Sequence, residues 1–174
     1  MKAIEIEKTY LLKYIPVDIK LLPYKEILDI YIPSNEKHPH LRIRKNGDKY
    51  EITKKYPIDE NKIYSQIENT ISITKNEYLE LSQIKGKRIR KIRYEYLYKK
   101  YKSEIDLFLD DLLGLILVDF EFRNEKEFLD FKIPDFCLSD VTEENFLAGG
   151  ILAGGKYSDI ENKLEKFKYK RIIV

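Results

Sequence analysis

The chain has 174 residues, with 32 Lys and Arg against 30 Asp and Glu and a single cysteine. Its length suits one domain with a real core, and its net charge of +2 gives no general attraction to nucleic acid or anionic lipid, so any basic site is local. One cysteine excludes an internal disulfide and a multi-cysteine metal site, and Cys137, within FKIPDFCLSDV, reads as a small buried hydrophobe. No apolar run of ~18 residues occurs, and the opening MKAIEIEKTY lacks the basic-then-apolar order of a signal peptide. A soluble cytoplasmic protein without a membrane partner is expected.

Strand-like segments rich in Ile, Tyr and Val recur at about 3–12, 25–33, 40–46, 49–55, 62–73, 87–99, 101–110 and 115–123. Asn46-Gly47-Asp48 separates the third from the fourth as a tight hairpin turn would, and Asp110 to Gly114 reads as a longer hairpin connection between the last two. Helices are expected at 75–84 and 125–131, each announced by a capping box: Thr74 with Glu77, and Asn124 with Glu127. Pro134 stops the second. A third helix is expected at 157–168, where Ile160, Leu164 and Phe167 recur at helical spacing, packed on the outside of the sheet. LAGGILAGG at 147–155 is a local duplication without the Lys-Ser/Thr ending of a P-loop, and it reads as a flexible turn or a lid over one barrel mouth.

Five of these strands carry charges at alternate positions: Glu5 and Glu7, Arg42 and Arg44, Lys91 and Arg93, Glu104 and Asp106, Asp119 and Glu121. Alternate residues share one face of a strand, so each pair projects to the same side. The opposite faces are apolar and need helices to cover them. An α+β fold meets both demands: an eight-stranded antiparallel β-barrel with a polar lumen and helices packed outside. The lumen would also hold Lys55 and Glu68. A mixture of cationic and anionic strands suits a polyanion held together with its divalent metals.

These segments resemble those of the CYTH family, the triphosphate tunnel metalloenzymes. IEIEKTYLL resembles its signature strand, LRIRKNGDKYEITKK its Arg-x-Arg hairpin and Thr-x-Lys strand end, and KIRYEY its Lys-x-Arg-Tyr strand. SEIDLFLDDLLGLILVDFEF resembles the run from Glu-x-Asp through a Gly-Leu turn to acidic-x-Glu-Phe, and PDFCLSDVTEENF the segment ending in acidic-Val-Thr. The matches follow family order from residue 3 to about 147. Four departures stand out: Thr9 replaces the signature lysine, Asp29 stands where a Gln is frequent, the fifth strand keeps only Glu68 as an acid, and Ala148 replaces an asparagine. Lys8 cannot serve for the lysine because it points to the other face of its strand.

The resemblance implies a tunnel binding a small-molecule triphosphate, with Mg²⁺ or Mn²⁺ as cofactor. Carboxylate oxygens suit such hard cations, which makes Glu5, Glu7, Glu68, Glu104, Asp106, Asp119 and Glu121 candidate metal ligands, with Glu5, Glu7 and Glu121 as catalytic candidates. Glu104 and Asp106 have a second possible task, pairing with Lys91 or Arg93. Arg42, Arg44 and Arg93 offer guanidinium forks to phosphate oxygens, and Lys55 and Lys91 add point charges. His38 and His40 flank Pro39 in a polar loop and make a poor zinc site by themselves. The reaction implied is hydrolysis of the terminal phosphate of inorganic, nucleoside or thiamine triphosphate. Adenylyl cyclisation and weakly active binding of triphosphates or RNA ends remain alternatives on the same fold, and a homodimer is compatible with it.

Overall fold

The computed structural model describes residues 2–58 and 65–174. Nine strands form among the described residues: β1 (Lys2–Leu12), β2 (Tyr24–Ile32), β3 (Leu41–Asn46), β4 (Lys49–Pro57), β5 (Ser65–Ile73), β6 (Lys87–Tyr98), β7 (Tyr101–Phe108), β8 (Ile116–Glu121) and β9 (Cys137–Asp140). Part of the fifth predicted strand, residues 62–64, lies outside the described residues. The strands follow the order β5-β4-β3-β2-β6-β7-β8-β1, and β1 returns to pair with β5, which closes an antiparallel eight-stranded barrel. Closure depends on β1 using both its edges, with Lys2–Ile6 against β5 and Glu7–Leu11 against β8.

The β3–β4 turn is a two-residue loop, with Gly47 at φ +58° and Asn46 already paired to Lys49. A left-handed first loop residue favours glycine, which has no Cβ to clash. The β7–β8 connection is longer, and it leaves through Asp110 at φ +54° and returns through Gly114 at φ +97°.

Outward-facing rows are apolar and lie in two clusters. Ile30 and Ile43 pack against Tyr78 of α1 (Lys75–Leu81), whose capping box is complete: Glu77 N–H donates to the Thr74 hydroxyl at 3.3 Å, and Thr74 N–H donates to Glu77 Oε2 at 2.6 Å. Tyr10, Val118, Phe120 and Phe122 pack with Phe131 and Phe136 beside α2 (Glu125–Asp130). Asn124 caps α2 by accepting from Glu127 N–H at 2.9 Å, but the Glu127 carboxylate reaches back to Arg123 N–H at 3.3 Å, so the second box is shifted by one residue.

The ninth strand was not predicted. Four residues are too few for an alternation to be read, and β9 owes its place to β1, where Tyr10 opposes Asp140 and Leu11 opposes Ser139. Cys137 opens it and is buried; burial, then the Asp140 charge, pushes its thiol pKa up.

The C-terminal helix corrects the sequence reading. It covers Tyr157–Glu165 as α4, after the short α3 (Gly149–Leu152), and it does not lie on the outer face of the sheet. Tyr157, Ile160 and Leu164 are buried with Leu147 and Leu152 against Leu11, Ile89, Phe108 and Leu117. Those last four continue the inward-facing rows of β1, β6, β7 and β8 past Thr9, Lys91, Asp106 and Asp119. The inner face therefore changes from charged to apolar along the barrel, and its apolar end takes the amphipathic helix as a cover.

Candidate active site

Alternation and register bring Glu5, Glu7, Arg42, Arg44, Lys55, Glu68, Lys91, Arg93, Glu104, Asp106, Asp119 and Glu121 to a single cavity of about 370 Å³. Asp29, Glu51 and Glu144 line it too, so among the described residues ten carboxylates face five cationic side chains. The two signs are not mixed evenly around the wall. Cations come from β3, β4 and β6, whereas Glu7, Asp119 and Glu121 come from the neighbouring strands β1 and β8.

On the cationic side each cation has a carboxylate partner. Asp29 opposes Arg44 across β2 and β3, and Arg44 donates to it through Nε at 2.6 Å and Nη2 at 2.7 Å. Arg93 opposes Asp106 across β6 and β7 and donates through Nε at 2.7 Å and Nη2 at 2.6 Å. Lys91 bonds the same Asp106 carboxylate, while Arg93 Nη1 also pairs with Glu104. Burial drives the Asp106 pKa up, but Arg93 and Lys91 outweigh it and hold it at about 2. Lys55 pairs with Glu5, and with Glu68 at 3.3 Å, and Arg42 reaches Glu68 at 3.4 Å. Burial lowers the pKa of Arg42, yet the Tyr31 hydroxyl and the Asp29 and Glu68 charges more than restore it. Arg42 Nε is buried without a hydrogen-bond partner. Of the seven candidate metal ligands, Glu5, Glu68, Glu104 and Asp106 are thus each paired with a cation.

The acidic side is only partly compensated: the Lys55 charge acts on Glu7 and the Arg93 charge on Asp119 without either closing an ion pair among the described residues. Glu7 opposes Glu121 across β1 and β8, with Asp119 two residues along β8 from Glu121, and none of the three makes an ion pair among the described residues. Burial, then Glu7 and Asp106, push Asp119 up to about 7. Burial, then Glu104 and Glu5, raise Glu121. Like charges gathered under partial burial shift carboxylates in this way when no cation sits among them.

Thr9, in the place of the signature lysine, opposes Asp119 and donates its hydroxyl to Oδ1 at 2.6 Å. Its N–H donates to Thr142 Oγ1 at 3.1 Å, and Thr142 in turn donates to Asp140 Oδ1, so β9 braces this part of the wall. The closed end of the cavity is lined by Tyr31, His38, His40 and the backbone of Gly149 and Gly150. The histidine rings lie 4.5 Å apart, centroid to centroid. A Cβ on Gly150 would collide with the Pro39 carbonyl, so glycine permits the close approach of α3 to this loop. Leu147, Gly150, Leu152 and Ala153 are all buried, which makes the duplicated segment a packed floor and not a flexible turn. Tyr31 and Thr142 were absent from the sequence candidates. Tyr31 had a signal, since it lies two residues from Asp29 on the same strand face, but Thr142 faces the cavity from a loop without periodicity.

No family model and no curated protein matches the chain. Solved structures do. An inorganic triphosphatase, NE1496, is 26% identical, with a TM-score of 0.64 over 87% of this chain and 95% of its own. A conserved hypothetical protein from Pyrococcus furiosus is 22% identical with a TM-score of 0.50, covering 70% of this chain and 80% of its own. A candidate adenylate cyclase from Bacillus halodurans is 14% identical with a TM-score of 0.53, covering 99% of this chain and 94% of its own. The latter two share the fold. Barrel, register and lumen define a closed antiparallel barrel with a charged central cavity. In its ordered strand motifs and its 26% identity to an inorganic triphosphatase, the chain resembles the CYTH family of triphosphate tunnel proteins.

Proposed function

We propose that the chain is a metal-dependent triphosphatase hydrolysing the terminal phosphate of a small triphosphate, with tripolyphosphate the simplest substrate. The observation that carries this reading is the division of the lumen, with a cationic arc facing carboxylates that have no cation of their own. The 26% identity to an inorganic triphosphatase supports it. Arg42, Lys55, Lys91 and Arg93 would hold the phosphate chain and neutralise its charge, with much of the catalysis residing in positioning and charge stabilisation.

Among the described residues no three His, Cys, Asp or Glu side chains converge closely enough to hold an ion by themselves. The donor chemistry still fits Mg²⁺ or Mn²⁺, because Mg²⁺ binds through one or two carboxylates and completes its shell with water and substrate phosphate. Glu5, Glu7, Asp119 and Glu121 would hold it. When bound, such an ion supplies charge neutralisation at phosphate oxygens and eases deprotonation of water. Thr9 would hold Asp119 in one orientation through its 2.6 Å hydrogen bond. The apolar floor excludes water from the closed end.

Phosphorus NMR tests the reading on protein incubated with tripolyphosphate or ATP and either metal, with Glu5→Gln/Glu7→Gln as control. Orthophosphate that appears with the native protein and disappears in the control is the expected result. Diphosphate with a cyclic nucleotide would replace hydrolysis by cyclisation, and no product at all would leave a binding protein.

A further inference from the structure

Five carboxylates are built into the cationic arc, and they are not equivalent. Asp106 is shared by Lys91 and Arg93, with Glu104 also on Arg93, and Glu68 is shared by Arg42 and Lys55, with Glu5 also on Lys55, so each forms a network of two cations and two carboxylates. Asp29 instead meets Arg44 one to one. Both its oxygens are taken, by Nε at 2.6 Å and Nη2 at 2.7 Å. The pair is sealed, with Asp29 1% and Arg44 6% exposed. Burial opposes the charge on Asp29, but Arg44, then Arg42 and Lys91, hold it well below the usual carboxylate range, so it stays ionised at any working pH. Asp29 stands on β2 directly opposite Arg44, so the strand register itself keeps its carboxylate at the fork.

We propose that Asp29 is a specificity-determining residue, a permanent internal counter-ion that occupies the Nε–Nη2 edge of Arg44 and lowers the affinity of the lumen for polyphosphate. The proposal rests on the reading of the lumen as a triphosphate site. The residue cancels the charge of a guanidinium that otherwise faces substrate, and adds a negative charge near Arg42 and Lys91. Affinity for the most highly charged substrates is reduced most. The free protein gains a paired buried cation in exchange, since an unpaired one is strongly destabilising.

Calorimetric titration with tripolyphosphate in EDTA, where no turnover interferes, tests this on Asp29→Asn. One buried negative charge removed from beside the ligand should tighten binding about ten-fold, with a smaller gain for orthophosphate. The melting temperature of the variant should fall, and tripolyphosphate should raise it by more than it raises that of the native protein. With Mg²⁺ present, KM should fall with no matching rise in kcat. Asp29→Glu retains the charge and should retain native affinity, and adding Arg44→Gln to Asp29→Asn should abolish the gain. A purely structural aspartate would give weaker or unchanged binding in Asp29→Asn, and that result overturns the proposal. If the amide variant does not fold, Asp29→Ser, which leaves room for a water on Arg44, takes its place; failure of both to fold also overturns it. Native protein that hydrolyses no triphosphate would defeat the functional reading while leaving the calorimetric comparison to decide this one.

Discussion

Around the β2, β3 and β6 wall each buried cation meets a carboxylate, whereas on the β8 and β1 wall Glu7, Asp119 and Glu121 meet one another. The cationic wall holds its charge largely out of water, whereas on the acidic wall Glu7 and Asp119 are half-buried and Glu121 is exposed. The cationic wall is satisfied within the protein and is therefore part of the folded structure in its own right. Among the described residues the acidic wall makes no ion pair through these three carboxylates, so protonation or, on the proposed function, a bound cation would stabilise it. Carboxylates paired within the protein thus face carboxylates left without an ion pair, and substitutions on the two walls should behave as opposites.

The largest contrast lies in activity. Glu7→Gln should lower kcat by about 10²- to 10³-fold, the scale for losing a positioned electrostatic group, while its melting temperature stays level or rises. Asp106→Ala should do the reverse of the second part. It leaves Lys91 without its carboxylate and Arg93 with Glu104 alone, which should cost about 3–5 kcal/mol and roughly 10 °C in melting temperature, measured by calorimetry. Equal destabilisation in the two variants would erase the distinction between the walls. Next in size, Arg42→Lys should raise KM about ten-fold in steady-state assays with little change in kcat, because an ammonium loses the fork but keeps the charge.

The smallest effect is a pH dependence. Asp119 has its folded pKa raised to about 7 from an ordinary value near 4, so the folded state holds its proton more tightly than the unfolded chain does. Its favourable contribution is complete below the unfolded pKa and is lost as pH rises to about 7. Asp119→Asn should therefore raise the melting temperature by a few degrees at pH 8 and leave it nearly unchanged at pH 4. Mg²⁺ should stabilise the native protein more at pH 8 than at pH 5, because binding requires the deprotonated carboxylate. Thermal scans showing the same Mg²⁺ effect at both pH values would remove Asp119 from the ion's surroundings.

Much of this geometry could be read from residue alternation. Glu5, Glu7, Arg42, Arg44, Asp119 and Glu121 share a cavity because a period of two fixes which side chains project together once the barrel closes. Partner choice was harder to read. Asp106 gave no sign of whether it would face metal or cations until the β6–β7 register set it against Arg93. The third helix was misplaced because a strand's inner row was taken to keep one chemistry along its length, while Leu11, Ile89, Phe108 and Leu117 turn it apolar at one end. Asp29 was visible only as a departure from a family pattern, since a bidentate buried pair is a property of two strands and leaves no local mark.

The double role of β1 has a consequence for how the molecule is made. Thr9 and Asp119 bond across 110 positions, and β1 joins β5 on one edge to β8 on the other. The strand that emerges first from the ribosome therefore waits until the eighth has been synthesised before the ring can close. Pairings that distant are slow to form, because the loop must be ordered before the contacts that stabilise it exist. Glu5 and Glu7 lie on this seam, so an incompletely made or partly folded chain carries the cationic hairpins without the acidic wall. Such a species can attract anions but lacks the facing carboxylates, which ties the appearance of the complete site to the last step of barrel closure.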